Sequence, residues 1–295
     1  MNYEICLITL FLTICKYYQE ELWIHCERFS NNNHPDFSDE EVMVIYLFGI
    51  IRKRRNVKDI YEYIQDHFSA WFPHLPSYEA YLQRLNRLSA VFPALVEKLK
   101  ADYPKLEILT KVRLLDSMPI IIAKQKRSSK AKVANEYANK GYCASKGIYF
   151  YGVRLHALAI QRKGRLPLPE QLFLTPAAIN DLIVLEQILQ SLINLELYAD
   201  KAYVKYLLDE ILKLQQNLTV YTPIKKKKGQ ECLDLFDKLF STAVSRVRQP
   251  IESFFNWLEE KTGIQVASKV RSFNGLMVHV FGRLAAALFI LIFNS

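Results

Sequence analysis

The spacing of apolar residues changes near Lys111, and this change limits the folds that the chain can adopt. Before it, apolar residues recur every three to four positions, which is typical of amphipathic helices. After it, the runs at 112–116 and 148–160 are rich in β-branched and aromatic residues, as strands are. Later segments predict further strands at 195–200 and 218–221 and helices at 175–193, 203–214 and from 231 onward. An all-α region followed by an α/β domain with a central mixed sheet is therefore expected.

Three short helices are predicted in the N-terminal region. Ser38 and Glu41 form a capping-box pattern that starts a helix over 39–53, and a second apolar stripe indicates a helix over 57–68. Ser77 is placed to cap a third helix, over 78–90, whose polar face carries Arg84 and Arg87. This arrangement resembles a helix-turn-helix, which makes Arg84 and Arg87 candidate DNA contacts. Alternatively, they are ordinary surface residues of a helical bundle.

Two strongly apolar runs bear on whether the chain is a membrane protein. The run 5–15 is too short to span a bilayer and lacks a signal-peptide pattern, so it predicts a buried helix. Extending the run 284–293 towards the N-terminus includes Arg283 and His279. These polar residues favour a buried core helix at the end of the chain over a membrane anchor. The five cysteines form no CxxC pair or zinc-finger spacing, which indicates reduced thiols in the cytoplasm. We expect a cytoplasmic protein with no membrane partner.

Most of the positive charge lies in one segment. The chain has 39 Lys+Arg and 30 Asp+Glu, a formal net charge of +9. The stretch from Lys111 to Arg165 holds 13 basic residues against Asp116 and Glu136, and so carries +11 by itself. Cations concentrated in this way bind phosphate backbones through counterion release. The alternative is a solvated basic loop.

Three acids stand at positions where a site could form. Asp116 and Asp200 each follow an apolar strand run, and Glu252 lies in a later helical segment. Carboxylates from two strand ends and one helix can hold two Mg²⁺ about 4 Å apart, which activate a water or a 3′-hydroxyl for phosphoryl transfer. Each acid alone is equally compatible with a surface or capping role.

The residues around these acids carry a family resemblance. Asp116 lies in Leu-Leu-Asp-Ser-Met-Pro, Asp200 in Tyr-Ala-Asp-Lys-Ala-Tyr and Glu252 in Arg-Gln-Pro-Ile-Glu-Ser-Phe-Phe. Together with the segments 140–156, 174–181 and 270–279, they resemble the DDE transposases of bacterial insertion sequences, and most closely the insertion-sequence-982 family. The resemblance spans essentially the whole chain.

The resemblance implies a fold, an activity and partners. The fold would be an RNase H-like mixed sheet flanked by helices over 106–295, after a helical DNA-binding region over 1–105. Asp116, Asp200 and Glu252 would be the catalytic ligands of Mg²⁺, for which Mn²⁺ can substitute. The partners would be the terminal inverted repeats of the element and target DNA, bound by a homodimer or a higher oligomer, associated with the nucleoid when on DNA.

The chain departs from related insertion-sequence groups around the glutamate. Those groups have Tyr seven residues before it, Arg four before and Lys seven after, whereas this chain has Ser245, Arg248 and Glu259. Arg248 alone matches, and it remains a candidate phosphate contact, with Pro250 expected to start the helix after it. The role of the lysine is not transferred to Lys261.

Further basic residues are candidates for tracking the DNA backbone, and one histidine is open to two readings. His156 lies on an apolar strand, where it is either a hydrogen-bonded sheet residue or a proton-handling group near Asp116. The candidate backbone contacts are Lys140, Lys146 and Arg154.

Two other functions fit the same residues. An RNase H-like nuclease without strand joining would use the same three acids, because water and a 3′-hydroxyl attack in the same way. A catalytically inactive derivative would retain only DNA binding.

Overall fold

The protein is α/β, with an all-helical N-terminal region and a curled mixed sheet of six strands flanked by helices, as the sequence predicts. The computed structural model describes residues 3–27, 35–103, 110–189, 191–203, 215–226 and 229–293. Two compact units are present, a helical unit (Met1–Tyr103, Lys132–Glu136 and Leu258–Ser295) and a sheet unit (Pro104–Ala131 and Tyr137–Trp257). The C-terminal segment Leu258–Ser295 groups with the N-terminal helices, and the domain boundary at 105/106 stays a prediction.

The helices and strands follow one another in this chain order: α1 Tyr3–Glu20, α2 Asp39–Ile51, α3 Val57–His67, α4 Tyr78–Arg87, α5 Val91–Asp102, β1 Val112–Lys124, β2 Asn139–Cys143, β3 Ile148–Ile160, β4 Leu168–Pro176, α6 Asp181–Leu189, β5 Glu196–Ala199, β6 Thr219–Tyr221, α7 Leu235–Thr262, α8 Phe273–Met277 and α9 Arg283–Phe293. A π-helical turn, Val278–Gly282, joins α8 to α9.

The three predicted N-terminal helices are confirmed as α2, α3 and α4. The capping box forms as expected, since the Ser38 hydroxyl accepts from the Glu41 amide and Glu41 accepts from the Ser38 amide. Ser77 caps α4 by accepting from the Ala80 amide. Helix α2 is apolar on all sides and buried from Val42 to Ile50, so it forms the centre of the helical unit.

The first apolar run is not fully buried, contrary to the sequence prediction. Helix α1 buries Leu7, Leu10 and Ile14, but Ile5 and Leu12 on its other side are 54% and 62% exposed. A run of apolar residues therefore packs on one face only. The last apolar run is a core helix, with Leu284 to Phe289 buried in α9. Among the described residues, one helix, Phe273–Phe293, is long and apolar enough to cross a membrane, and 72% of its apolar window is buried in the protein.

The sheet positions the end of β5 beside the middle of the parallel strand β1. The strand order is β2-β3-β1-β5-β6, with β4 paired to β3. Strand β1 is antiparallel to β3 and parallel to β5, and β5 is parallel to β6. Apart from the short β2, three antiparallel strands followed by two parallel ones give the order 4-3-1-5-6, as expected for an RNase H-like core.

Several predicted boundaries are corrected. The strand predicted over 112–116 continues to Lys124 as β1, and the basic loop between β1 and β3 contains the short strand β2. The run 148–160, which predicts either two strands or one long one, forms the single strand β3. Thr175 and Pro176 end strand β4 instead of starting a helix, which begins later at Asp181. Helix α7 passes through Pro250 and does not start after it. The predicted helix at 203–214 lies almost entirely outside the described residues.

Candidate active site

Asp116 and Asp200 are neighbours because of the register between β1 and β5. Leu115 pairs with Ala199 in the parallel ladder, and one residue further along each chain lie Asp116 and Asp200. Adjacent strands are about 4.8 Å apart, so the two aspartates leave the sheet side by side at the end of β5. The prediction that both acids follow the end of a strand holds for Asp200, which comes directly after β5, but not for Asp116, which lies within β1 because that strand continues to Lys124.

Helix α7 brings the third acid to the same place. Arg248 and Glu252 are one helical turn apart in α7, and the Arg248 guanidinium donates to both Glu252 Oε1 and Asp116 Oδ2, the latter at 2.7 Å. The arginine side chain is 13% exposed, that of Asp116 18% and that of Glu252 50%. Arg248 therefore links the carboxylate on β1 to the carboxylate on α7.

Burial and the neighbouring charges together raise the pKa of Asp116. Burial of the carboxyl is the largest effect and raises its pKa, while the Arg248 guanidinium and the Ser117 amide, which donates to Oδ1 at 2.8 Å, lower it. The negative charges of Asp200 and Glu252 raise it further, and the resulting pKa is about 6, against an ordinary value of 3.8. The charges of Asp200 and Glu252 thus both act on Asp116.

The acids have the donor chemistry of a magnesium site, but their present arrangement holds an arginine. Carboxylate oxygens are the ligands that Mg²⁺ prefers. Within the described part of the chain, no cluster of three or more His, Cys, Asp or Glu side chains is arranged to hold a metal ion. Arg248 supplies the positive charge between Asp116 and Glu252 instead. The three carboxylates are thus of the chemical type that a divalent cation takes as ligands, and two of them are bonded to an arginine here.

His156 is a buried, hydrogen-bonded sheet histidine, the first of its two predicted readings. Its Nε2 lies 2.9 Å from Thr175 Oγ1, its Nδ1 lies 3.4 Å from the Tyr203 hydroxyl, and its ring stacks on Phe173. Burial, helped by the positive charge of Arg154, lowers its pKa to about 3. The ring is therefore neutral at physiological pH and acts as a fixed hydrogen-bonding group.

The predicted backbone-tracking residues lie on or beside the β2–β3 hairpin. Lys140 in β2 and Lys146 in the turn are exposed. Arg154 in β3 is partly buried and donates from Nη2 to the Tyr142 carbonyl oxygen at 2.8 Å. These three side chains share one region of the sheet unit, and their contact with DNA remains a prediction.

The two arginines predicted for DNA reading make contacts inside the helical unit. Arg84 Nη2 donates to Asp39 Oδ1 at 2.9 Å, and Arg87 Nη2 donates to the Cys26 carbonyl oxygen at 2.5 Å. Arg84 is mostly buried, whereas Arg87 is exposed. Both bonds fix α4 against its neighbours, and any DNA contact by these residues remains a prediction.

Sequence reasoning missed two features near the candidate site. The link from Arg248 to Asp116 was not anticipated because Pro250 was expected to begin α7, which left the arginine outside the helix. The exposed pair Tyr142 and Tyr149 was also missed, although two tyrosines seven residues apart across a glycine turn at Gly147 are a signal for a hairpin with paired rings.

Comparison with protein families finds one family model that matches the chain. The family model described as a transposase DDE domain matches residues 107–272, which is more than half of the chain and contains Asp116, Asp200 and Glu252. No curated protein and no solved structure matches the chain. The resemblance to DDE transposases is thereby confirmed, while the insertion-sequence-982 assignment remains a prediction. The chain belongs to the transposase DDE domain family.

Proposed function

We propose that this transposase cleaves DNA at the terminal inverted repeats of an insertion sequence and joins the freed 3′-hydroxyl ends to target DNA. The observation that supports this most strongly is the convergence of acids from three elements. Asp116 lies within β1, Asp200 directly follows the adjacent parallel strand β5, and Glu252 is tied to Asp116 through Arg248. Asp116 is largely buried and faces two like charges, which is costly to the fold, and acids in such surroundings are characteristic of functional sites.

Asp116, Asp200 and Glu252 would hold the divalent cations, Mg²⁺ with Mn²⁺ as a substitute. When bound, such ions lower the pKa of an attacking water or hydroxyl and stabilise the charge on the phosphate. The Ser117 amide orients the Asp116 carboxylate by donating to Oδ1. We assign Arg248 to a phosphate of the bound DNA, since its guanidinium already lies among the acids and its buried Nε has no partner among the described residues.

The remaining assignments concern DNA binding and assembly. Lys140, Lys146 and Arg154 would contact the phosphate backbone from the sheet unit, and Arg84 and Arg87 belong to the helix-turn-helix-like region that would read the inverted repeats. Because joining two element ends requires both to be held together, a homodimer or a higher oligomer on DNA is expected. The protein would act in the cytoplasm, on the nucleoid when DNA-bound.

Two alternative functions make different predictions for the same DNA. An RNase H-like nuclease would cut the ends without forming joined products. An inactive DNA-binding derivative would bind the ends without cutting. The acid cluster favours chemistry over binding alone, whereas joining and hydrolysis use the same residues.

The test is to incubate purified protein with labelled element ends, target DNA and Mg²⁺ or Mn²⁺, and to map the 3′ ends and joined products. The wild type should give both, and Asp200→Asn should abolish both while still binding the ends. Glu196→Gln, which removes a carboxylate from the start of the same strand β5, should remain active. Cutting without joining would favour the nuclease, and no cutting at all would favour the inactive derivative.

A further inference from the structure

Two large aromatic rings are exposed side by side on the β2–β3 hairpin. Tyr142 and Tyr149 pair directly across the antiparallel ladder, with ring centroids 4.9 Å apart and ring planes at 50°. Their exposed fractions are 46% and 57%. Adjacent aromatic rings left in water are characteristic of a binding surface, because each offers a large apolar face with little conformational entropy to lose.

Positive and polar groups surround the rings. Lys140 Nζ lies 5.0 Å from the centre of the Tyr149 ring, and Arg154 is anchored to the Tyr142 carbonyl oxygen. These groups line an open groove of about 620 Å³. Of its described lining residues, the charged ones are Lys140 and Arg154, both positive. Aromatic faces beside cations form a surface that suits a base and its phosphate.

The groove is held open by tight contacts beneath it. Gly141 lies against the loop after β4, where a Cβ atom would come within 2.3 Å of the Ala177 carbonyl oxygen. Asn139 Oδ1 accepts from the Ala178 amide at 2.8 Å, a second connection between the hairpin and this loop. The two walls are thus fixed before any ligand arrives, which reduces the entropic cost of binding.

The tyrosine pair of the groove lies away from the acid cluster. Asp116 pairs with Ala157 on β3, and Tyr149 lies eight residues earlier on the same strand. At about 3.3 Å per residue, the tyrosine pair is about 26 Å along the strand from the level of Asp116. A strand of DNA leaving the acids along β3 would therefore reach the hairpin several nucleotides away.

We propose that this groove, the tyrosine groove, holds a short unpaired segment of a DNA strand, with bases stacked on Tyr142 and Tyr149 and phosphates on Lys140 and Arg154. The proposal rests on DNA being the substrate. Unpaired DNA is specified for two reasons. A base can offer its face to a tyrosine only when it has left the duplex stack, and the groove has the volume of a small-ligand pocket, far below that of a turn of duplex.

The first test compares variants in binding a fluorescein-labelled oligothymidylate of about eight nucleotides, a typical single-strand site size. Replacing both tyrosines by leucine, Y142L/Y149L, should weaken binding by at least about 5- to 150-fold, the range for one lost stacking interaction, since two rings are removed. Y142F/Y149F should bind like the wild type because the rings remain. The matched control is Tyr3→Leu, since Tyr3 is also 53% exposed and has the Arg52 guanidinium over its ring.

A second arm tests the phosphate contact. Lys140→Gln should lower the slope of log affinity against log salt by about 0.7, the value for one phosphate contact on a single strand. The leucine double variant should leave that slope unchanged, because stacking releases no counterions. A change in slope with the leucine variant, or no change with Lys140→Gln, would contradict the proposed division of roles.

Other outcomes overturn the proposal outright. Binding of the leucine variant within about twofold of the wild type would exclude stacking, and an equal loss in the phenylalanine variant would assign the effect to the hydroxyls. An equal loss for a fully paired duplex would show that unpaired DNA is not preferred. Thermal unfolding confirms that each variant is folded. End cleavage by the same wild-type preparation separates this proposal from the proposed function. If the wild type cleaves the ends while the leucine variant binds oligothymidylate unchanged, only the groove proposal is contradicted.

Discussion

Asp116 is the residue whose environment differs most from that of an ordinary carboxylate. It is largely buried, faces two other acids and has one arginine as its counterion. Its pKa of about 6 means that ionisation is less favourable in the folded protein than in the unfolded chain. The fold therefore carries a cost at this position, which a bound cation would offset.

A pH dependence of stability follows from this cost. Because the folded pKa of about 6 lies above the ordinary value of 3.8, protonation of Asp116 stabilises the folded state. This contribution to the free energy of unfolding is fully present below about pH 4 and is lost as pH rises through 6. The loss is about 3 kcal/mol at most. The measurement is urea unfolding with EDTA present. The free energy of unfolding of Asp116→Asn minus that of the wild type should increase by up to this amount as the pH is raised from 4 to 7. A pH-independent difference, or one of opposite sign, would contradict the assignment.

At the scale of elements, the β2–β3 hairpin depends on a close contact at Gly141. Adding a methyl group there should force β2 away from Ala177, at a cost of about 1–3 kcal/mol, and should also weaken oligothymidylate binding by deforming the tyrosine groove. Gly147→Ala is the matched comparison, since Gly147 has φ of +62° but open space around its Cβ position. It should cost about 1 kcal/mol through backbone strain.

Urea unfolding and anisotropy of both glycine variants check this prediction. The contact account requires Gly141→Ala to lose affinity for oligothymidylate while Gly147→Ala keeps it. If Gly141→Ala has the stability and the oligothymidylate affinity of the wild type, the hairpin is free to move. This result would contradict a preformed groove.

Element types were easier to predict than the points where elements begin and end. The capping box at Ser38 is a local signal, and α2 starts after it. Thr175-Pro176 is also a local helix-start signal, but there pairing with β3 prevails and the two residues end a strand. Strand β4 pairs with β3 in the described sheet, and a strand with one free edge tolerates proline because the missing amide is not needed.

Helix α7 shows the same competition between local and tertiary effects. Proline removes one helical hydrogen bond and normally ends or kinks a helix. Here the helix continues on both sides of Pro250, with Val244 and Ile251 buried in its apolar face. Packing thus outweighs the local signal. This continuation puts Arg248 one turn before Glu252, a relation that proline-based reasoning could not supply.

At the scale of the whole molecule, the sequence located the acids but not their surroundings. Asp116, Asp200 and Glu252 are far apart in the chain, and they were recognisable because an apolar strand run precedes two of them and a family pattern surrounds all three. The counterion between them, the neutral state of His156 and the tyrosine groove depend on side-chain positions that only the folded chain defines. The division of the chain into two compact units was also only partly predictable, since it joins segments distant in sequence.

The central claim is that the three acids form one shared divalent-cation site. It is tested most directly by measuring Mn²⁺ binding with electron paramagnetic resonance, in the presence of uncleaved element-end DNA. Asp116→Asn, Asp200→Asn and Glu252→Gln should each weaken Mn²⁺ binding by about tenfold or more, an effect at least as large as that of losing an outer-shell partner. Glu196→Gln should bind Mn²⁺ like the wild type. Wild-type Mn²⁺ binding in any one of the three acid variants would contradict the shared site.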